Sequence, residues 1–222
     1  MSSKHIVSFS GGKDSTAMLL RMIELKMPID EIVFADTGLE FPEIYEHIKN
    51  IEKIINRKIT IIKTDQTWDK WFYGIPKRGK AGERGLIRGF PLTFFPCWWS
   101  RESKFKVLDK YCKGHIRYIG IAIDEPRRLK KKENYVYPLA DWKWAEKDCI
   151  EYLRSKGILK EIHEKFKRTG CWCCPKQNLE SLKILMKDYP KLWEKLKQME
   201  KDSPQGFKPN FSLIKFEKEN SP

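Results

Sequence analysis

The sequence predicts an α/β fold, a doubly wound parallel sheet with a helical carboxyl-terminal region that carries a cysteine cluster. Three observations lead to it. Short β-branched or aromatic runs alternate with segments of helical periodicity in the first part of the chain. A glycine-rich turn, Ser10-Gly11-Gly12-Lys13-Asp14-Ser15, joins the first of those runs to the first helical segment. Cys171, Cys173 and Cys174 crowd together inside an otherwise helical region.

Taken in order, strands are expected at residues 6–9, 31–35 and 59–63, with helices at 15–26 and 42–56 between them. Alternation of this kind implies a parallel sheet with right-handed crossovers, so the loops after the strands gather at one carboxyl edge, where ligands bind. Residues 74–91 are rich in glycine and carry Lys77, Arg78, Lys80, Arg84 and Arg88, which reads as a mobile basic loop. A helix near residues 101–111 and a fourth strand at 118–123 follow. A second basic run then passes through Arg127, Arg128, Lys130, Lys131 and Lys132. Helices are expected at 145–155, 159–167 and 179–200, and residues 203–222, with Pro204, Pro209 and many charges, read as an irregular strap. The expected division is a nucleotide-binding domain at 1–142, a helical cysteine region at 143–202 and a tail at 203–222.

Composition bounds the rest. A chain of 222 residues with 41% hydrophobic and 13% aromatic residues forms a core, which excludes a disordered tail and a disulfide-stapled miniprotein. The formal charge of +14 suits anionic partners such as phosphate, sulfate or nucleic acid, and equally a Lys-rich solubilising surface. No apolar run reaches the length of a signal-peptide core or a membrane span, so the expectation is a soluble, cytoplasmic protein with no membrane partner and reduced thiols.

The turn at Ser10–Ser15 carries chemistry because of its context. Glycines let the backbone approach a phosphate, and the free N–H groups and helix dipole favour negative charge. Ser10 and Ser15 offer hydroxyls, Lys13 offers charge, and Asp14 can cap the helix or hold Mg²⁺. The spacing is not that of a Walker A loop. Cys171 and Cys174 have C-x-x-C spacing, which suits one metal or cluster with Cys97 and with Cys173 as a fourth ligand. A [4Fe–4S] cluster is the leading expectation, and zinc or plain reduced thiols are the alternatives. Cys112 and Cys149 read as buried thiols. Trp98, Trp99 and Trp172, beside the cysteines, suit base stacking or core packing. His5, His47, His115 and His163 form no recognisable constellation.

SGGKDS resembles the S-G-G-x-D-S signature of the PP-loop adenine nucleotide α-hydrolase superfamily. The stretches Asp36-Thr37-Gly38-Leu39-Glu40-Phe41-Pro42-Glu43, Arg101-Glu102-Ser103-Lys104-Phe105-Lys106, Gly120 to Arg128, Tyr137-Pro138-Leu139-Ala140-Asp141-Trp142 and Gly170 to Pro175 resemble, in order, segments of its phosphoadenosine phosphosulfate (PAPS) reductase branch. The resemblance implies a nucleotide site at Ser8, Ser10, Gly11, Gly12, Lys13, Asp14, Ser15, Asp36, Thr37 and Gly38. It implies catalytic roles for Lys13, Asp14, Arg101, Lys104 and Arg127, with ATP or an adenylyl or phosphoadenylyl sulfate as ligand. Cys97 is followed by Trp98, whereas cluster-bearing relatives carry a Cys-Cys pair there. The reductases attack with a cysteine in an E-C-G-x-H segment, and residues 207–222 contain no cysteine. The leading expectation is therefore ATP-dependent activation with pyrophosphate release. Sulfur, from a donor protein or a bound cluster, is then transferred to tRNA, DNA or a small acceptor. The alternatives are sulfate-ester reduction with a displaced nucleophilic cysteine and an electron-donor protein, and a non-catalytic nucleotide- or nucleic-acid-binding module with a structural metal.

Overall fold

The computed structural model describes residues 3–76, 79 and 84–220. In chain order the elements are β1 His5–Phe9, α1 Lys13–Glu24, β2 Glu31–Asp36, α2 Pro42–Ile55, β3 Thr60–Lys63, α3 Trp98–Ser100, α4 Lys106–Tyr111 and β4 Ile116–Ile119. They continue with β5 Tyr135–Val136, α5 Pro138–Asp141, α6 Glu146–Ser155, α7 Glu161–Lys165, α8 Leu179–Asp188, α9 Pro190–Asp202 and α10 Leu213–Asn220. Two compact units interleave along the chain. One holds residues 1–36, 40–63 and 106–169, and the other holds 37–39, 64–105 and 170–222. This division differs from the one expected at residue 142, because residues 143–169 group with the sheet.

The first unit is a parallel five-stranded sheet in the order β3-β2-β1-β4-β5, flanked by helices. The period of two along each strand separates its faces. Ile6, Val33, Ala35 and Ile62 pack with Leu108 and Cys112 on one side, while Phe34 meets Tyr45 of α2 edge-on. Strand order reverses at β1, where Ser8 pairs with Ile119 of β4, so the loops after β1 and β4 leave the sheet side by side at the switch point. Arg117, only 5% exposed, locks this junction. It donates to Ser8 Oγ (2.7 Å), Asp109 Oδ1 (2.9 Å) and Tyr135 Oη (3.3 Å), joining β1, α4, β4 and β5.

The expected fourth strand is displaced. It runs Ile116–Ile119 rather than 118–123, because the chain turns at Gly120 and leaves Ile123 exposed. β5 is two residues long, too short to show an alternating pattern. The helix expected at 101–111 begins as a wide π turn over Arg101–Phe105 and becomes α-helical only at Lys106.

The second unit is built around aromatic side chains. Trp98 stacks on Trp68 (5.0 Å between centroids) and on Trp71 (5.7 Å), with the Arg88 guanidinium over Trp71 and Trp98. Phe90 packs edge-on against both Phe72 and Phe207. Trp99 and Trp172 are buried, so these two indoles fill core. Of the basic-loop residues, Lys77, Arg78 and Lys80 lie outside the described residues, and Arg88 is held on the tryptophans. The single helix expected at 179–200 is two, since Pro190 removes a backbone donor and Tyr189 before it leaves the helical region (φ −130°, ψ 58°).

The strap expected at the carboxyl terminus is instead structured. Phe207, Leu213 and Phe216 are buried, Lys197 pairs with Glu217 at 2.8 Å, and Trp193 Nε1 donates to the same carboxylate. Charge and proline dominate its composition, but three well-spaced apolar residues suffice to anchor it. Truncating the fully buried Leu213 to alanine is expected to destabilise the second unit by about 2 to 5 kcal/mol, measured by urea denaturation with tryptophan fluorescence.

Candidate functional site

The loop Ser10–Gly12 closes β1 into α1. Gly11 takes φ +73°, a conformation suited to glycine, and a Cβ there would lie 2.8 Å from Ile44 Cγ2. Ser10 N–H donates to Ser15 Oγ (3.1 Å), the two hydroxyls share a 2.9 Å hydrogen bond, and Ser15 Oγ reaches Gly12 O at 3.0 Å. Gly120 explains part of the close fit from the β4 side. A Cβ on it would stand 2.9 Å from Ser15 Cα, so only glycine lets the two loops approach.

Lys13 Nζ lies 2.5 Å from Glu146 Oε1 and donates to Lys167 O at 3.0 Å. Asp14 Oδ1 is buried and has no hydrogen-bond partner. Its carboxyl is pushed up to about 6 by burial first and then by the negative charges of Glu146 and Glu125, with Lys13 and Arg128 opposing. Glu125 is itself paired with Arg128 and, at 2.8 Å, with Arg168. An unpartnered carboxylate oxygen beside two further carboxylates is a poor neighbour for an anion alone and a suitable one for an anion that arrives with a cation.

The other expected site residues divide between the units. Ser8 carries its hydroxyl on the Arg117 side chain. Asp36, at the end of β2, accepts from Tyr45 Oη (2.7 Å) and pairs with Lys63 (2.9 Å). Arg127 is exposed in a short 3₁₀ turn of the first unit. Thr37 and Gly38 fall in the second unit, as do Arg101, which is exposed, and Lys104.

All four candidate ligand cysteines lie in that second unit. Cys97 caps α3, its Sγ accepting from Ser100 N–H at 3.4 Å. Cys171 Sγ lies 3.7 Å from Thr37 Oγ1, and Trp172 N–H donates to Leu39 O. Cys173 is buried, and burial drives its thiol well above the ordinary range; Cys174 is raised for the same reason, with Cys97 close enough to add to the effect. Among the described residues no three His, Cys, Asp or Glu side chains are disposed to hold a metal ion. No helix among the described residues is long and apolar enough to cross a membrane.

Sequence reasoning assigned the histidines no role, yet two of them lie against the Ser10–Thr16 turn. His163 Nε2 donates to Gly11 O at 2.9 Å, and His47 Nε2 lies 3.0 Å from Thr16 Oγ1. They stand far apart in sequence, so no local spacing could have signalled the pair.

Residues 4–79 match the phosphoadenosine phosphosulfate reductase domain. Over that stretch the chain resembles the PAPS reductase family. Among solved structures, the fold is similar to that of PAPS reductase from Candida auris in its phosphate complex, with a TM-score of 0.52 at 13% identity over 75% of this chain and 81% of that one. It is also similar to the U34-tRNA thiolase NcsA of Methanococcus maripaludis with its [4Fe-4S] cluster, with a TM-score of 0.50 at 14% identity over 98% and 81% of the two chains. At such identities these likenesses are of fold. Two uncharacterized proteins of Methanocaldococcus jannaschii are each 28% identical, over 86% and 85% of this chain but only 40% and 45% of their own length. The chain thus spans less than half the length of those two relatives. An uncharacterized nin-region protein of Escherichia phage lambda is 25% identical over 83% of this chain and 70% of its own.

Burial sets an order of thiol reactivity. Brief alkylation of the native protein with iodoacetamide is expected to label Cys97 and Cys171 and to spare Cys112, Cys149 and Cys173, read by peptide mass spectrometry.

Proposed function

We propose that this chain is an adenine-nucleotide enzyme of the PAPS reductase kind, which binds ATP at Ser10–Ser15 and activates an acceptor at the α-phosphorus, releasing pyrophosphate, for subsequent attack by a sulfur nucleophile. The observation that carries the reading is the buried, unpartnered Asp14 Oδ1 beside Glu125 and Glu146. A triphosphate accompanied by Mg²⁺ accounts for carboxylates at an anion loop, whereas a sulfate ester without a metal does not.

Asp14 would hold the Mg²⁺, which when bound neutralises charge on the departing pyrophosphate. Backbone N–H groups at the start of α1 hold the phosphates, aided by the helix dipole. Lys13 exchanges its Glu146 partner for a phosphate oxygen. An acceptor oxygen attacks the α-phosphorus and the bond to the bridging oxygen breaks. The adenylylated acceptor then loses AMP to the sulfur nucleophile. Arg127, in the same unit as the loop, is proposed to bind the leaving anion, and Arg101 and Lys104 are proposed as anion-binding groups of the second unit. The formal charge of +14 and the thiolase named among the fold neighbours favour a nucleic-acid acceptor over a small one. No step runs through the cysteines.

AMP formation from ATP in the presence of tRNA tests this. Asp14→Ala is expected to lower the rate on the order of 10² to 10³-fold, as loss of a major charge-stabilising group does. Because Asp14 must be ionised to hold the cation, the wild-type rate should climb as pH rises through about 6, and Asp14→Asn should flatten that limb. Sulfite release from adenylyl sulfate without ATP turnover would overturn the proposal in favour of reduction.

A further inference from the structure

A loop that presents N–H groups to an anion has to turn its carbonyls the other way, and here both glycine carbonyls are held from behind. Gly11 O accepts only a donor, so His163 Nε2 carries the proton in their 2.9 Å bond. Gly12 O accepts from Thr16 N–H (3.0 Å), Thr16 Oγ1 (2.9 Å) and Ser15 Oγ (3.0 Å). With its own proton committed to Gly12 O, Thr16 Oγ1 receives the Nε2 proton of His47 at 3.0 Å. The two imidazoles meet edge to face at 4.8 Å and 85°, are 1% and 3% exposed, and each leaves Nδ1 buried without a partner.

We infer that His163 and His47 are positioning residues for the phosphate loop: His163 holds the Gly11 carbonyl directly and His47 supports the Gly12 carbonyl through Thr16 Oγ1, which sets the Gly12 N–H, here donating to Ser10 Oγ at 3.4 Å, and the Lys13 N–H on the opposite side, toward the bound anion. The inference rests on the phosphate-binding reading of the loop. In a trans peptide the C=O and N–H point in opposite directions, so fixing Gly11 O directs Gly12 N–H, and fixing Gly12 O directs Lys13 N–H. Both rings come from helices packed around the loop, His47 from α2 and His163 from α7, and both belong to the first unit. Burial keeps them neutral, lowering His47 to about 3 and His163 below its usual range. The charges acting on His47 are His163 and Lys160, and those acting on His163 are Lys13 and Lys160. Each ring therefore serves as a fixed neutral donor.

The test combines affinity with backbone order. Calorimetry with ATP and Mg²⁺, and separately with inorganic phosphate, is run on wild type, His163→Ala, His163→Gln, His47→Ala and His47→Gln, with Leu213→Ala as a variant destabilised elsewhere. Backbone ¹⁵N relaxation at Gly12 and Lys13 is recorded on the same proteins. The alanine variants are expected to lose about tenfold in affinity, equal to 1.4 kcal/mol. Order parameters at those two amides should fall with them. The glutamine variants, which restore an N–H at a similar reach, should recover part of both, and Leu213→Ala should change neither. Wild-type affinity and order in the alanine variants, even with a lowered Tm, would overturn the inference by making the pair merely structural. If wild type binds neither ligand, the nucleotide reading fails on its own. The amide order at Gly12 and Lys13 still decides whether the histidines set the loop.

Discussion

The arrangement depends on one constraint, that a tight glycine loop opening a helix must find donors inside for the carbonyls it turns inward. Ser15, Thr16 and His163 supply those donors to Gly11 and Gly12. The consequences spread through the first unit. Gly11 must be glycine for its positive φ and for its contact with Ile44, which brings α2 against the loop, and α2 in turn delivers His47. Gly120 must be glycine because the loop after β4 runs against the backbone of Ser15. The switch point of the sheet is thus held by backbone approach and internal hydrogen bonds, with Arg117 as the polar lock beneath it.

Charge is organised differently at short and long range. The chain carries a large formal positive charge, yet the groups around Asp14 include Glu125 and Glu146. Lys13, Arg128 and Arg168 are taken up in ion pairs with those carboxylates. An anion entering the loop therefore meets a nearly balanced set of paired charges rather than a bare basic patch. Specific binding then rests on how the pairs can be exchanged, whereas the net charge governs long-range attraction.

The second unit rests on apolar packing. Trp68, Trp71 and Trp98 stack, Phe72, Phe90 and Phe207 interlock, and α9 is joined to α10 through Lys197, Trp193 and Glu217. Its cysteines serve local structure as they stand: Cys97 as a helix cap, Cys173 as core, Cys171 beside Thr37. Aromatic residues next to a thiol cluster are ambiguous in a sequence, since an indole that stacks on a base and one that fills a core have the same composition. Burial decides the matter for Trp99 and Trp172.

The parallel sheet, its first three strands, the two helices between them and the glycine-rich loop were all legible in the sequence, because periodicity and a glycine-rich strand-to-helix turn are local signals that tertiary packing only reinforces. The sequence by itself also determined a resemblance to PAPS reductases, through short motifs in fixed order. Tertiary structure alone decided the end of β4 at Gly120, the break of one long helix at Pro190, and the anchoring of a tail whose composition reads as irregular. It alone brought His47 and His163 together and left Asp14 unpartnered between carboxylates distant in sequence. The physical reason is the same in each case: backbone periodicity is encoded over neighbouring residues, whereas burial, like-charge proximity and the satisfaction of a carbonyl depend on residues that only the folded chain makes neighbours.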